Sequence, residues 1–265
     1  MRSTTILTAA AIAFAAAWSF PASAELVKLQ PRPGVELRLG VEARGNEAVV
    51  VLLFAGGHGL LQLDGGGQPQ GLRGNFLIRA RSHLAARGIG VVLVDAPSDR
   101  QGERGLFGWR QSAEHAADIG AAVRAMRERF RRPVWLIGTS AGTVSVANAG
   151  GLSGAQRPDG LVLTATITRQ VRGRGFTVFD TAMGAFSGPA LVASHEGDGC
   201  EATPSADTAR VLAALAAARP KKMLTFSGGS PPQSAPCEAR SQHGFLGIEA
   251  QVMNAIADFI LRPSS

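Results

Sequence analysis

Apolar residues fall in two kinds of block along the chain, and the blocks alternate. Six short stretches are dominated by apolar residues: 48–54 (AVVVLLF), 88–95 (GIGVVLVD), 134–137 (VWLI), 161–167 (LVLTATI), 190–194 (ALVAS) and a shorter one at 222–226. Short apolar runs bounded by turn residues suit strands buried on both faces. Residues 35–41 instead alternate apolar with polar or Gly and predict an edge strand. Between these runs, residues 75–87, 113–130, 206–218 and 245–261 carry apolar residues at helical spacing. The last places Leu246, Ile248, Val252, Ile256 and Ile260 on one side and stops before Pro263. Strands alternating with helices predict a mostly parallel sheet covered on both faces, with right-handed crossovers. No internal repeat or linker divides the chain, and residues 228–241, rich in Gly, Pro and Ser, read as a loop.

Composition narrows this picture. The 265 residues fit one α/β domain, and 45% hydrophobic with 18% charged residues excludes a disordered chain. The 33 glycines follow no three-residue period, which excludes collagen. The net charge of +7 comes mostly from Arg scattered in ones and twos. Its densest run, residues 124–132, reads as the exposed face of a helix. There is no Tyr, no RNA-binding aromatic motif and no zinc-finger spacing, so nucleic acid is not expected as a partner.

The N-terminus changes the compartment. Arg2, an apolar Ala-rich run over residues 6–20, Pro21 and the small-residue site Ala22-Ser23-Ala24 form a secretory leader with cleavage near Ala24. The run is shorter than the roughly 20 residues a spanning helix needs. Residues 1–24 are expected to be removed and 25–265 to form the mature domain, periplasmic or extracellular. No second long apolar segment is read in the mature part, so no membrane span is expected there. Export bears on Cys200 and Cys237, the only cysteines, which an oxidising compartment favours joining. No metal site and no cofactor are expected.

The candidate chemistry begins at Gly138-Thr139-Ser140-Ala141-Gly142, a G-x-S-x-G pentapeptide. It directly follows the apolar run at 134–137 and opens a segment of small residues able to start a helix. That strand–turn–helix setting presents a serine as a nucleophile. The alternative is a serine that merely caps a helix. A serine hydroxyl needs a base, and the base an orienting acid. Around such an elbow they follow in the order Ser, acid, His. Downstream of Ser140, His occurs only at 195 and 243. His195 would precede the acid and reads as a structural loop histidine. His243, after the last strand and its loop, is the expected base. Asp198, flanked by Gly197 and Gly199 after the strand at 190–194, is the expected acid. Glu196 and Glu201 are near rivals, and Asp180 is a distant one.

The oxyanion hole should use the backbone N–H of Ala141 and one from the loop after the first buried strand, Phe54-Ala55-Gly56-Gly57-His58-Gly59. Gly56 and Gly57 both remain candidates. A P-loop reading fails for want of Gly-Lys-Ser/Thr, and a dinucleotide fingerprint fails on glycine spacing. Asp99 and Arg100 read as a loop pair rather than pocket residues, and Arg172-Gly173-Arg174 as a solvated loop. A Cys200–Cys237 bond would tie the acid loop to the base loop.

Four pieces in this order, VVVLLFAGGHG, WLIGTSAG, ALVASHEGDGC and QHGFLGIEAQVMNAIADFI, resemble the α/β-hydrolase superfamily, especially its small exported bacterial members. The resemblance spans about residues 49–260. It implies an eight-stranded, mostly parallel sheet and a Ser-His-Asp triad. Two departures are evident. Phe54-Ala55 stands where the family usually has His-Gly, and only about 20 residues separate the strands ending near Thr168 and starting at Ala190, too few for a large cap. The expected activity is hydrolysis of a small-molecule carboxylic ester. Acyl transfer, peptide hydrolysis and a non-catalytic binding role on the same fold are the alternatives. The sequence does not determine the oligomeric state.

Overall fold

The computed structural model describes residues 24–171 and 175–264. Residues 1–23, which hold most of the expected leader, and the Arg172-Gly173-Arg174 stretch lie outside the described residues. Eight strands run β1 (Glu25–Arg32), β2 (Val35–Glu42), β3 (Val49–Phe54), β4 (Ile89–Val94), β5 (Val134–Thr139), β6 (Gly160–Thr164), β7 (Ala190–His195) and β8 (Lys221–Phe226). They form one sheet in the order β1-β2-β4-β3-β5-β6-β7-β8. β1 and β2 form an antiparallel hairpin and β2 pairs antiparallel with β4. Every later pairing is parallel.

Among the described residues six α-helices accompany the strands: α1 (Phe76–Ala80), α2 (Ser82–Ala86), α3 (Ala113–Phe130), α4 (Gly142–Asn148), α5 (Thr208–Ala214) and α6 (Glu249–Leu261). Alternate residues of each central strand enter opposite core layers. From β3, Val50, Leu52 and Phe54 face α3, α4 and α5, whereas Val49, Val51 and Leu53 face α1, α2 and α6. All six β3 residues are buried, which explains the unbroken apolar run that predicts this strand.

Four details differ from the sequence expectation. The edge strand is β1, and residues 35–41 belong to the second strand; β1 is half-exposed and carries Pro31, which an edge tolerates. The helix read over residues 75–87 is two short helices meeting at Arg81, whose side chain is drawn to Glu42, Gln68 and the Ile78 carbonyl. The helix read over 206–218 spans only Thr208–Ala214, and the one read from 245 begins at Glu249, because Phe245 and Gly247 take left-handed φ angles of 55° and 86°. Finally, the segment Gln242–Leu261 is long and apolar enough to cross a membrane by length and composition, with mean hydropathy 1.3. Its continuous α-helix covers 13 residues, about 20 Å at 1.5 Å per residue, against the roughly 30 Å of a bilayer core. Val252, Met253, Ile256 and Phe259 bury its apolar face against the sheet.

Strand order reverses around β3, with β4 on one side and β5 on the other. In open α/β sheets, ligands bind outside the carboxyl ends of the strands at such a switch point. The loop after β3 and the turn after β5 meet there.

Candidate active site

The turn after β5 places Ser140 at φ 51°, a left-handed angle that costs a non-glycine residue energy. Packing fixes it. The Ser140 N–H donates to the Thr164 carbonyl at 3.0 Å, and its own carbonyl accepts from Thr143 N–H and Thr143 Oγ1 at 2.9 and 2.6 Å. The two motif glycines are sites of close backbone approach. A Cβ on Gly142 would lie 2.0 Å from the Phe54 carbonyl oxygen, and one on Gly138 would lie 2.5 Å from the Gly142 carbonyl oxygen. These contacts press α4 against the ends of β3 and β5. The Ser140 hydroxyl itself makes no hydrogen bond among the described residues.

Gly56 is the loop residue set against Ser140, since a Cβ built on it would stand 2.9 Å from Ser140 Cβ. Gly57 instead faces Leu72. The Gly56 and Ala141 N–H groups find no backbone acceptor among the described residues. A free N–H on a buried loop is uncommon. α4 has only seven residues, so its macrodipole is small and individual N–H groups matter more.

Asp198 and His243 meet across the ends of β7 and β8. His243 Nδ1 lies 3.0 Å from Asp198 Oδ2, and the two side chains are 5% and 1% exposed, so solvent does not screen the pair. A carboxylate only accepts, which assigns the neutral imidazole's proton to Nδ1 and leaves Nε2 with a lone pair. Cys200 N–H donates to Asp198 Oδ1 at 2.9 Å, and Thr203 Oγ1 donates to Oδ2 at 2.8 Å while lying 3.0 Å from His243 Nδ1. His243 is seated by Ser241, which accepts its N–H, and by Arg79, which donates to the Gly244 carbonyl at 2.6 Å and pairs with Glu249. Phe245 packs its ring 4.8 Å from that of Phe76.

The rivals are engaged elsewhere. Asp180 closes a capping box with Thr177, and Glu196 and Glu201 are exposed. Both ring nitrogens of His195 bond backbone, the Gly197 N–H and the Gly228 carbonyl. Asp99 pairs with Arg32, and Arg100 stacks on Trp109. Within the basic run, Arg127 pairs with Asp159 and Arg129 with Glu25.

No protein-family model and no curated protein matches the sequence. Solved structures do match. A lidless α/β serine hydrolase from Xanthomonas campestris is similar over 93% of this chain and 98% of its own, at TM-score 0.58 and 17% identity. An esterase from Pyrococcus furiosus covers 90% and 92%, at TM-score 0.61 and 11% identity. An α/β serine hydrolase homologue from Coxiella burnetii covers 91% and 99%, at TM-score 0.59 and 18% identity. This chain has the α/β-hydrolase fold. At such identities the likeness concerns the fold and leaves the chemistry to the site.

Among the described residues, only short 3₁₀ turns occupy the β6–β7 connection. Beside Ala141 an open cleft of about 640 Å³ is lined by Leu106, Phe107, Val144, Ile167, Val171 and Phe176 among others. Phe107, Val171 and Phe176 are three of the four large hydrophobic side chains exposed among the described residues. Together they give the cleft an apolar wall.

Two further groups carry no signal in the sequence. Thr203 lies in the unpatterned stretch after Cys200, and nothing distinguishes it there. Arg110, His115 and Ser145 form a buried polar cluster. Arg110 Nη1 donates to Ser145 Oγ at 2.7 Å, and His115 Nε2 lies 2.8 Å from the same oxygen. Burial, aided by the Arg110 and Arg32 charges, pushes the His115 imidazole down to about 3, so it is neutral at any ordinary pH.

Cys200 and Cys237 are joined, with Cα atoms 4.5 Å apart. The bond fastens the residue two places past Asp198 to the loop that carries His243. It closes a separation of 37 residues, for which loop-closure entropy gives about 4 kcal/mol. Cys237→Ser is therefore expected to lower unfolding free energy by about 3–4 kcal/mol in urea titration. A loss below about 1 kcal/mol would show that the loop is held by its other contacts alone.

Proposed function

We propose that this protein is an exported serine hydrolase that cleaves carboxylic esters through Ser140, His243 and Asp198. The observation that carries this reading is a shared placement at one sheet edge. A serine whose hydroxyl makes no hydrogen bond among the described residues is held at φ 51° on a strand–helix turn, and the buried Asp198–His243 pair projects from the same edge two and three strands away.

His243 Nε2 removes the hydroxyl proton as Ser140 Oγ attacks the acyl carbon. Asp198 holds the ring and stabilises the imidazolium that forms. The Ala141 and Gly56 N–H groups receive the oxyanion. Collapse returns the proton to the departing alcohol, leaving an acyl-enzyme. Water, deprotonated by His243, then attacks the acyl carbon, and the acid leaves with Ser140 restored. The cleft is open, which leaves the acyl-enzyme exposed to water and favours hydrolysis over transfer to another acceptor.

The test is a p-nitrophenyl ester series from acetate to laurate, with residues 25–265 beside Ser140→Ala. kcat/KM should rise with chain length while the chain fills the apolar cleft, each fully buried methylene contributing about 0.8 kcal/mol. A flat series would remove the cleft from the acyl-binding role. Absence of both turnover and fluorophosphonate labelling would end the hydrolase reading. Export has its own test in the intact mass of protein recovered outside the cytoplasm. The expected species begins at Glu25 and is two hydrogens lighter than the reduced chain; a species retaining Met1 or free thiols would contradict it.

A further inference from the structure

We propose that Arg110 is the positioning residue of the oxyanion hole, clamping the loop after β3 to the elbow helix α4. This rests on the serine-hydrolase reading, since the hole has a use only if an oxyanion forms. Arg110 is 4% exposed. Among the described residues it has no carboxylate partner; burial pushes its guanidinium down to about 9, leaving it charged at neutral pH. A buried cation without a counter-charge is costly and persists where the structure around it depends on it.

Its acceptors reveal that dependence. Nη1 donates to Ser145 Oγ on α4. Nη2 donates to the Ala55 and Gly57 carbonyls, at 3.0 and 3.1 Å. One planar group thus binds both segments that supply the candidate oxyanion donors. The Ala55 carbonyl belongs to the same peptide plane as the Gly56 N–H. In a trans peptide the two point in opposite directions, so a guanidinium holding the carbonyl fixes where the N–H aims. His115, neutral and 2.8 Å from Ser145 Oγ, holds that hydroxyl from the other side. Arg110 also lines the cleft beside Ala141, which puts its charge near the forming oxyanion.

Three variants test the clamp: Arg110→Ala, Arg110→Lys and Ser145→Ala. In Arg110→Ala, kcat on the preferred ester should fall about 100-fold, the scale of losing one oxyanion donor. KM should change less than threefold, because the apolar cleft is intact. Methylguanidinium at millimolar concentration should restore at least tenfold of the lost kcat. Arg110→Lys, which keeps charge but loses the fork, should lie between wild type and Arg110→Ala. Independently of activity, hydrogen exchange of peptides covering residues 54–63 should accelerate in Arg110→Ala and return toward wild type with methylguanidinium. The same loop should loosen more weakly in Ser145→Ala, which keeps Arg110 and so also guards against loss of fold. Wild-type exchange over residues 54–63 in Arg110→Ala, or a kcat loss that methylguanidinium leaves untouched, would overturn the proposal. If the wild-type protein hydrolysed no ester, the hydrolase reading would fail, and the exchange arm would still decide whether Arg110 holds the loop.

Discussion

Ser140→Ala is expected to lower ester turnover by about 10⁴–10⁶-fold with little change in stability. The hydroxyl makes no hydrogen bond among the described residues, so its removal orphans no partner. Alanine at φ 51° bears about the same steric cost as serine, and the backbone bonds to Thr164 and Thr143 do not involve the hydroxyl. What goes is the nucleophile alone. Residual activity would come from water attacking an ester bound in the oxyanion hole. Circular dichroism melting should put the variant within about 2 °C of wild type, and fluorophosphonate labelling should disappear. A folded variant with more than about a tenth of wild-type turnover would place the nucleophile elsewhere.

Asp198→Asn should cost about 10⁴-fold in kcat at neutral pH, although the amide is nearly isosteric. The carboxylate accepts from Cys200 N–H, from Thr203 Oγ1 and from His243 Nδ1. An amide has one accepting oxygen. If that oxygen keeps the Cys200 N–H at the Oδ1 position, the NH₂ takes the Oδ2 position, faces both Thr203 Oγ1 and His243, and forces the imidazole proton onto Nε2, the atom required to be free. The variant should fold and be labelled by fluorophosphonate at a greatly reduced rate. Thr203→Val should have a much smaller effect, about tenfold, because it removes one donor of three and leaves the ring's tautomer alone. Equal losses in Asp198→Asn and Thr203→Val would mean that packing around the pair, not the carboxylate's charge, is what the site needs.

The parallel strands were legible because burial on both faces writes unbroken apolar runs. The fold was legible for the same reason, together with the spacing of the four resemblance pieces. β1 was not, since an exposed edge mixes Lys28, Gln30 and Pro31 among its apolar residues. Ser140 could be named from its pentapeptide, and Asp198 and His243 from their order and loop positions. The choice between Gly56 and Gly57 had to await the fold, since it turns on which of them packs against Ser140. Thr203 and Arg110 were illegible for a deeper reason. Their surroundings are assembled from residues 5 to 55 positions away, and no local pattern marks a polar side chain that folding will bury.

Through the bond between Cys200 and Cys237, Asp198 and His243 stand eight residues and one S–S link apart along the covalent structure, instead of 45 residues. A shorter tether raises the effective concentration of one group at the other, so the pair re-forms readily after a local opening of either loop.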